Sequence, residues 1–245
     1  MRAALGCSSL LIWSSDLTVK PASSSECFGW HQDCAYADLG PPDKLLTAWL
    51  ALSESTEENG CVQFVPGSHR LGELRHREEE RSADRNLVLG QTVVDHQLPA
   101  PVSSLPVLRP EHSREAGEAG GRAVLCRLQP GQASLHGWRT LHSSQPNTST
   151  EPRLGLAIRF MCGETVRHSR PAVVRDRVSL ACGEYAGDWF EVEPEPVGEF
   201  GRTEWAEHKL SMTREWERRK LSKQLGRLPS HRERTRLDIH PVQKD

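Results

Sequence analysis

The sequence lacks several features that mark large classes of protein. It has no apolar run near the roughly 18 residues that a membrane-spanning helix needs, so we expect no membrane association. Its 31 basic and 33 acidic residues nearly cancel, to a net charge of −2, which argues against a protein that binds nucleic acid. With 245 residues, 36% of them hydrophobic, the chain is long enough for a sizeable core and predicts a soluble protein.

The cysteines also follow no common framework. There are seven of them, an odd number without a Cys-x-x-Cys pair. This pattern argues against both a disulfide framework and a structural zinc cluster. It favours a reducing compartment, so we expect a cytoplasmic protein. Cys34 and Cys162 are interpreted as small core residues, because cysteine is among the most buried residue types.

The pattern along the chain favours strands over helices. Short apolar stretches broken by Pro, Gly and Ser predict strands over residues 10–66, and strand patterns return over 124–162. Short strands joined by tight turns predict a mainly β fold, an antiparallel barrel or sandwich. We therefore expect a β domain over 1–203 with an irregular insertion at about 70–121, followed by a charged C-terminal helix and tail over 204–245.

Two of these strands can be assigned to faces. Alternation in the first places Leu45, Thr47, Trp49 and Ala51 on one side. Alternation in the second places Arg153, Gly155, Ala157 and Arg159 on one side, opposite Leu154, Leu156, Ile158 and Phe160. Two arginines around two very small side chains leave open space between them. That face therefore predicts the lining of a cavity that accepts an anion.

Histidine and aspartate spacing predicts a metal site. His31-Gln32-Asp33 places an imidazole and a carboxylate on the same side of a strand. A second histidine, His142, precedes a polar turn and lies eleven residues before Arg153, so both are expected at one mouth of a barrel. Two histidines and a carboxylate that leave open coordination positions form the facial triad of non-haem Fe(II) oxygenases.

Two further points concern the residues around this triad. His136 remains an alternative to His142 as the third ligand, because the two lie six residues apart and can share a strand face.

A 2-oxo acid with a distal carboxylate needs a cation, and Arg153 offers a bidentate guanidinium for it.

Taken together, these segments resemble the phytanoyl-CoA dioxygenase family of Fe(II)/2-oxoglutarate-dependent oxygenases. The segments occur in the family's order: Trp30-His31-Gln32-Asp33, the strand with Thr47 and Trp49, Asn59-Gly60-Cys61, Pro66-Gly67-Ser68-His69, the stretch from His142 to Ser149, and Arg153. The resemblance covers residues 17–163 and continues more weakly to about residue 200.

The resemblance implies a fold, a site and a reaction. The fold is a double-stranded β-helix, or jelly roll, with flanking helices. The implied site has iron ligands His31, Asp33 and His142, the 2-oxoglutarate partner Arg153, and further cosubstrate contacts from Gln32, Trp49 and Ser144. Halogenating relatives have a small residue where this chain has Asp33. The carboxylate therefore favours hydroxylation of a small organic substrate by Fe(II), 2-oxoglutarate and O2, with release of succinate and CO2.

The chain departs from the family pattern before the His-x-Asp motif. Family members usually carry a much longer segment there, whereas this chain has thirty residues. We therefore expect the N-terminal part of the family fold to be missing, together with a lysine that it contributes to the cosubstrate pocket. The Pro/Gly-rich stretch 99–121 is interpreted as a flexible loop where relatives connect more briefly.

These departures keep two other functions open. A jelly-roll binding protein or pseudoenzyme would retain the triad without turnover. A zinc-dependent hydrolase of the cupin type would use the same ligands with a bound water, but it leaves Arg153 unexplained.

Overall fold

A computed structural model of the chain describes residues 1–78, 86–87, 91–93, 123–168, 175–199 and 201–224. It confirms the mainly β fold. The strands are β1 Leu10–Lys20, β2 Glu26–His31, β3 Leu39–Gly40, β4 Leu45–Ala51, β5 Val62–Phe64, β6 His76–Glu78, β7 Asn86–Leu87, β8 Gln91–Val93, β9 Val124–Leu125, β10 Ala133–Gly137, β11 His142–Ser144, β12 Arg153–Cys162, β13 Arg167–His168, β14 Arg177–Cys182 and β15 Glu191–Val192. The helices are α1 Arg2–Leu5 and α2 Arg202–Gln224, with short 3-10 turns at Asp33–Ala35, Pro42–Lys44 and Ser68–Leu71.

Two sheets of a double-stranded β-helix enclose the site. One has six strands in the order β10-β4-β12-β1-β14-β15, and the other has five in the order β7-β2-β11-β5-β9. All neighbours in the larger sheet are antiparallel except β14 and β15. Neighbours in the smaller sheet are antiparallel apart from β2 and β7.

The register of the six-stranded sheet lines up polar residues in rows. Arg159 of β12 lies between Thr47 of β4 and Ser14 of β1, and Thr47 is in turn paired with His136 of β10. Directly paired residues on neighbouring strands share a face. These four side chains therefore lie on the same side of the sheet, the side that faces the smaller sheet.

The face assignments made for β4 and β12 are confirmed. In β4, Leu45, Thr47, Trp49 and Ala51 are all buried. In β12 the face with Arg153, Gly155 and Ala157 is buried, while Leu154, Leu156 and Ile158 on the opposite face are only partly covered. Gly155 is required where it lies, because a Cβ there would overlap the indole ring of Trp49.

In the second half of strand β1 the apolar residues point outward, and the lysine at its end points inward. Leu17 and Val19 are 61% and 49% exposed, whereas Lys20 at the end of the strand is 1% exposed. Because Lys20 is paired with Arg153, its side chain lies on the cavity side of the sheet.

The main apolar core lies away from this cavity, toward the end of β12 and β14. It includes Leu11, Trp138, Met161 and Phe190. The charged C-terminal helix expected from Glu204 is present as α2, which begins at Arg202. Arg177 of β14 holds it by donating a hydrogen bond to the Glu207 carboxylate at 2.8 Å.

The division of the chain at residue 203 remains a prediction. The expected loop at 99–121 and the tail from 225 lie outside the described residues. Neither helix in the described part of the chain is long and apolar enough to cross a membrane.

Candidate metal centre and cosubstrate pocket

Three predicted ligands meet at one point between the sheets. Single donor atoms of His31, Asp33 and His142 all lie within 4.8 Å of one another, and all three residues are buried. His31 ends β2 and is paired with His142, which begins β11, so the sheet register places the two imidazoles side by side. Asp33 begins the 3-10 turn that follows β2 and brings its carboxylate back to them.

The histidines are oriented through their second ring nitrogens. His31 Nδ1 lies 2.7 Å from the carbonyl oxygen of Gly29, and His142 Nδ1 lies 2.9 Å from that of Thr140. Each Nδ1 therefore donates a proton to a backbone carbonyl, which leaves Nε2 with a free lone pair. Metal-bound histidines are typically oriented in this way. The two Nε2 atoms face Asp33 Oδ1, at 4.0 Å from His31 and 3.7 Å from His142.

His136 lies on the other side of the same carboxylate. Its Nε2 is 3.6 Å from Asp33 Oδ2, the oxygen that also accepts a 2.6 Å hydrogen bond from the Thr47 hydroxyl. His136 is 7% exposed, and neither ring nitrogen has a hydrogen-bond partner among the described residues. This geometry favours His142 as the third ligand and leaves His136 as a neighbour of Asp33.

The protonation states suit a divalent cation. Burial lowers the pKa of His31, and burial together with the neighbouring His31 and His136 holds the pKa of His142 well below its usual value. Burial alone would raise the pKa of Asp33, but His136, His142 and Arg159 outweigh it and hold that pKa well below its usual range. Two neutral imidazoles and one carboxylate are the form that binds a metal, and this donor set fits Fe(II).

Two buried cations lie at the other end of the cavity. Arg153 and Lys20 are each 1% exposed, and both donate hydrogen bonds to Ser144 Oγ, at 3.2 Å and 2.6 Å. Arg153 also donates to the carbonyl of Gly60 and lies with its guanidinium carbon 5.0 Å from the Trp49 ring centroid. In the described parts of the chain, neither cation forms an ion pair. Two uncompensated buried cations are costly unless an anion binds between them.

A buried lysine, Lys20, lies next to Arg153, although the sequence analysis expected the lysine of the cosubstrate pocket to be missing. It lies at the end of β1, beside Arg153 and Ser144, as the sheet register requires. Burial and the charge of Arg153 lower the pKa of Lys20 to about 7. Burial lowers the pKa of Arg153 to about 10, so the guanidinium stays charged at neutral pH. The sequence analysis missed Lys20 because the apolar alternation of Leu17 and Val19 points to the opposite face.

A cavity of about 90 Å³ connects the two ends. Its walls include the three triad side chains, Arg153, Trp49 and Ser144. Gln32 is not among them, although it was expected to contact the cosubstrate. Its amide group donates to the carbonyls of Gly72 and Arg139 at 2.9 and 2.8 Å, and accepts from the backbone N–H of Leu74. Gln32 therefore crosslinks loops on the far side of the strand, as its position between His31 and Asp33 dictates.

A larger chamber of about 670 Å³ opens next to the triad. It shares Asp33, Phe28 and Arg159 with the small cavity and is closed by α2 through Ser211 and Met212. Two polar groups stand at the boundary between the spaces. Arg159 is held by an ion pair with Asp16, and the buried hydroxyl of Tyr36 has no hydrogen-bond partner among the described residues. The sequence analysis did not identify Tyr36 because it belongs to none of the quoted motifs.

Comparison with known proteins places this geometry in context. The sequence profile described as Phytanoyl-CoA dioxygenase (PhyH) matches residues 1–155. The Phytanoyl-CoA dioxygenase domain-containing protein 1 of Bos taurus is 31% identical over 134 residues, which are 54% of this chain and 38% of that protein. A probable alpha-ketoglutarate-dependent hypophosphite dioxygenase of Stutzerimonas stutzeri is 29% identical over 62% of this chain and 45% of that protein. The chain thus spans less than half the length of these curated relatives.

Solved structures give the same relationship at the level of the fold. The structure titled "non-heme monooxygenase; ThoJ apo" superposes with a TM-score of 0.66 and 26% identity, over 89% of this chain and 69% of that chain. Its nickel complex superposes with a TM-score of 0.60 at 24% identity.

Proposed function

Because the chain belongs to the phytanoyl-CoA dioxygenase family, we propose that it is an Fe(II)- and 2-oxoglutarate-dependent dioxygenase that hydroxylates a small organic substrate. The observation that carries this proposal is the pairing of two sites: a His/Asp/His triad at one end of the small cavity and Arg153 at its other end with Lys20 beside it, two buried cations without an ion pair among the described residues. A hydrolase with the same metal ligands has no use for these cations. A 2-oxo acid with a distal carboxylate needs at least one of them.

At the metal end, His31, Asp33 and His142 are proposed to hold Fe(II). Asp33 Oδ1 faces the two imidazoles, while Thr47 occupies Oδ2 and thereby limits the carboxylate to one coordinating oxygen. Iron(II), once bound with 2-oxoglutarate, supplies the activation of O2 that the protein's own side chains lack. Because Asp33 occupies a coordination position, it leaves no room for a halide there, and we propose hydroxylation.

At the cationic end, Arg153 and Lys20 are proposed to bind the distal carboxylate of 2-oxoglutarate. Ser144 bridges the two cations and orients both toward the cavity. The indole of Trp49 lies against the guanidinium of Arg153, and this cation–π contact helps to orient the guanidinium. Charge-assisted hydrogen bonds from two directions orient a dicarboxylate with its 2-oxo acid end toward the triad. Gln32 has no part in this arrangement.

The 670 Å³ chamber is proposed as the substrate site. Its volume suits a small organic molecule. Tyr36 and Arg159 stand between the chamber and the triad, so we propose that they donate hydrogen bonds to a polar group of the substrate and leave a C–H bond next to the iron. The large chamber is the reason to propose an organic substrate rather than one the size of hypophosphite, on which the bacterial relative is described as acting.

An anaerobic titration tests this proposal. Purified apoprotein receives one equivalent of Fe(II) and then 2-oxoglutarate, while the weak visible metal-to-ligand charge-transfer band is followed. We expect the band in the wild-type protein. At limiting 2-oxoglutarate, Arg153→Ala should require about 100-fold more cosubstrate for the same band, because truncating one partner of a buried charged contact costs about 2–5 kcal/mol.

Arg127→Ala is the matched control, because Arg127 pairs with Glu57 at the surface, where its side chain is 58% exposed. It should titrate like the wild type. A folded wild-type protein that binds Fe(II) but gives no band with 2-oxoglutarate would contradict the proposal and favour the zinc-hydrolase or binding-protein function. A band that survives in Arg153→Ala at limiting cosubstrate would contradict the role of the cationic end.

A further inference from the structure

A second cluster of metal-binding side chains lies outside the proposed active site, at the opposite end of β12. Cys162 ends β12, Glu164 follows it in the next turn, and Cys7 lies just after α1. One ligand atom from each of these three residues lies within 4.8 Å of the other two. Cys7 and Cys162 are 155 positions apart in the sequence, so the fold alone brings the two thiols together.

The carboxylate of Glu164 is held so that one oxygen faces the thiols. Its Oε1 accepts hydrogen bonds from the backbone N–H groups of Ser8 and Ser9, at 2.8 and 2.7 Å, and from the Ser8 hydroxyl. Its Oε2 lies 2.9 Å from Cys162 Sγ. Metal-binding carboxylates are typically oriented in this way, with one oxygen engaged by donors from the protein and the other left for the ion.

The backbone around the cluster is arranged to permit this approach. Gly163 lies between Cys162 and Glu164, and a Cβ there would overlap the Ser9 side chain. The Gly163 N–H also donates to the Ser9 carbonyl at 3.1 Å, which ties the turn to the start of β1. Cys162 is 2% exposed and Cys7 is only partly buried, so the cluster has a buried side and an opening to solvent.

We propose that Cys7, Cys162 and Glu164 bind a thiophilic divalent cation of the Zn²⁺ type. Two thiolates and one carboxylate are a donor set that Zn²⁺ prefers, with water as the fourth ligand, whereas the active-site triad has only nitrogen and oxygen donors. A tetrahedral site with Zn–S bonds of about 2.3 Å needs its ligand atoms about 3.5–4 Å apart, so Glu164 Oε2 must move slightly away from Cys162 Sγ, and any pair near the 4.8 Å limit must move closer. Binding converts two thiols and one free ion into the complex and releases two protons to solvent.

The bound ion would connect the N-terminal segment to the end of the central strand β12. A disulfide between Cys7 and Cys162 is less favoured by the geometry. Thiol–disulfide exchange begins with a thiolate, and the carboxylate of Glu164 lies against Cys162, where a second negative charge is repelled.

Cobalt(II) is the probe that separates the two metal sites. Metal-free full-length protein, reduced and kept anaerobic, is titrated with Co²⁺. We expect the near-ultraviolet sulfur-to-cobalt charge-transfer band to saturate at one equivalent of thiolate-bound ion, because the triad contributes no sulfur. Cobalt binding should release two protons per ion, and Zn²⁺ should then displace this cobalt and abolish the band with no further release of protons. The band should persist in Asp33→Ala, which removes a ligand only from the triad.

Two variants and one control assign the band to the cluster. Cys7→Ser, in the partly exposed N-terminal segment, should abolish it. Glu164→Gln should weaken cobalt binding at least 10-fold, as expected for the loss of one ligand. Cys126→Ser, which removes a partly buried cysteine of the smaller sheet region, should leave the band unchanged.

Three results would overturn the proposal. The first is a folded, reduced wild-type protein without the band, and the second is a band that survives in Cys7→Ser. The third is peptide mapping of protein purified without reductant that finds Cys7 and Cys162 joined as a disulfide. That result would identify a redox pair instead of a metal site.

Discussion

The two ends of the proposed active-site cavity differ in how their charges are balanced. At the metal end, the negative charge of Asp33 is surrounded by the Thr47 hydroxyl and three histidines. At the other end, the hydrogen bonds that Lys20 and Arg153 form with described residues all go to neutral oxygens, those of Ser144, Gln145 and Gly60. At the first end, His136, His142 and Arg159 outweigh burial and hold the pKa of Asp33 well below its usual range, so the carboxylate stays ionised. The second is incomplete without an anion.

This difference has a consequence for stability as well as for binding. A buried cation without an ion pair destabilises the folded state, because the charge is removed from water without an opposite charge nearby. Lys20 and Arg153 therefore contribute to ligand affinity at the expense of folding stability. The pKa of Lys20 is lowered to about 7 for the same reason, because burial and the charge of Arg153 destabilise the charged form of the lysine.

The largest effect is expected from breaking the metal end. Asp33→Ala removes the only carboxylate among the three proposed ligands, and we expect complete loss of the Fe(II)/2-oxoglutarate band and of succinate formation. Iron binding and succinate release measured on the same preparation test this. Asp43→Ala, at an exposed position of the Pro42–Lys44 turn, is the control and should retain both. Turnover at the wild-type rate in Asp33→Ala would exclude Asp33 as a ligand.

A smaller effect, with opposite signs for binding and stability, is expected at the cationic end. Lys20→Met should raise the Kd for 2-oxoglutarate by about 30-fold, roughly 2 kcal/mol, because it removes charge-assisted hydrogen bonds. The same substitution should stabilise the apoprotein at pH 6, by on the order of 1–3 kcal/mol, because a buried unpaired charge is gone.

The pH dependence provides an independent test of Lys20. The folded pKa of Lys20 lies below its unfolded value of about 10.5. Between pH 7 and about 8, below the range in which the cysteines with raised pKa values begin to titrate in the unfolded chain, the unfolded chain therefore binds more protons because of Lys20, and the stability of the wild-type apoprotein should rise with pH. Affinity for 2-oxoglutarate should fall as pH rises through 7, since the free lysine becomes neutral. Both dependences should be absent in Lys20→Met and retained in Lys44→Met. A Lys20→Met protein with wild-type affinity and pH profile would contradict the assignment.

The comparison between strands explains what sequence reasoning could and could not predict. In β4 and β12, alternation assigned the faces correctly. In β4 one face carries Thr47 and Trp49, and in β12 one face carries the small residues between Arg153 and Arg159, so the two faces of each strand differ in residue type. In β1 the same rule fails. Leu17 and Val19 mark the apolar face, yet that face is exposed, since the buried face lines a polar cavity.

Contacts between segments far apart in the chain also could not be predicted from the sequence. Nothing in the spacing of the cysteines links Cys7 to Cys162, because their proximity depends on the pairing of β1 with β12. The choice between His136 and His142 as the third ligand likewise depended on the structure, in which His136 faces Asp33 Oδ2 and His142 faces Asp33 Oδ1. The proposed triad, by contrast, was predicted from local spacing together with the family resemblance, and its three side chains do lie together in the structure.

The smallest effect is expected from His136, whose Nε2 lies 3.6 Å from Asp33 Oδ2 and whose ring centroid lies 4.6 Å from that of His142. His136→Phe should fill the same space but remove the polar ring atom that lies 3.6 Å from that oxygen. We expect Fe(II) affinity to fall by about 10-fold, as for other groups that orient a metal ligand, with the KM for 2-oxoglutarate unchanged. His136→Gln returns a polar side chain next to Asp33 Oδ2 and should recover most of the affinity, which a purely structural role would not predict. His69→Phe, on an exposed turn, is the matched control. If His136→Phe abolished the iron-dependent band as completely as Asp33→Ala, His136 would have to be counted among the ligands, and the charge balance assigned to the metal end would be wrong.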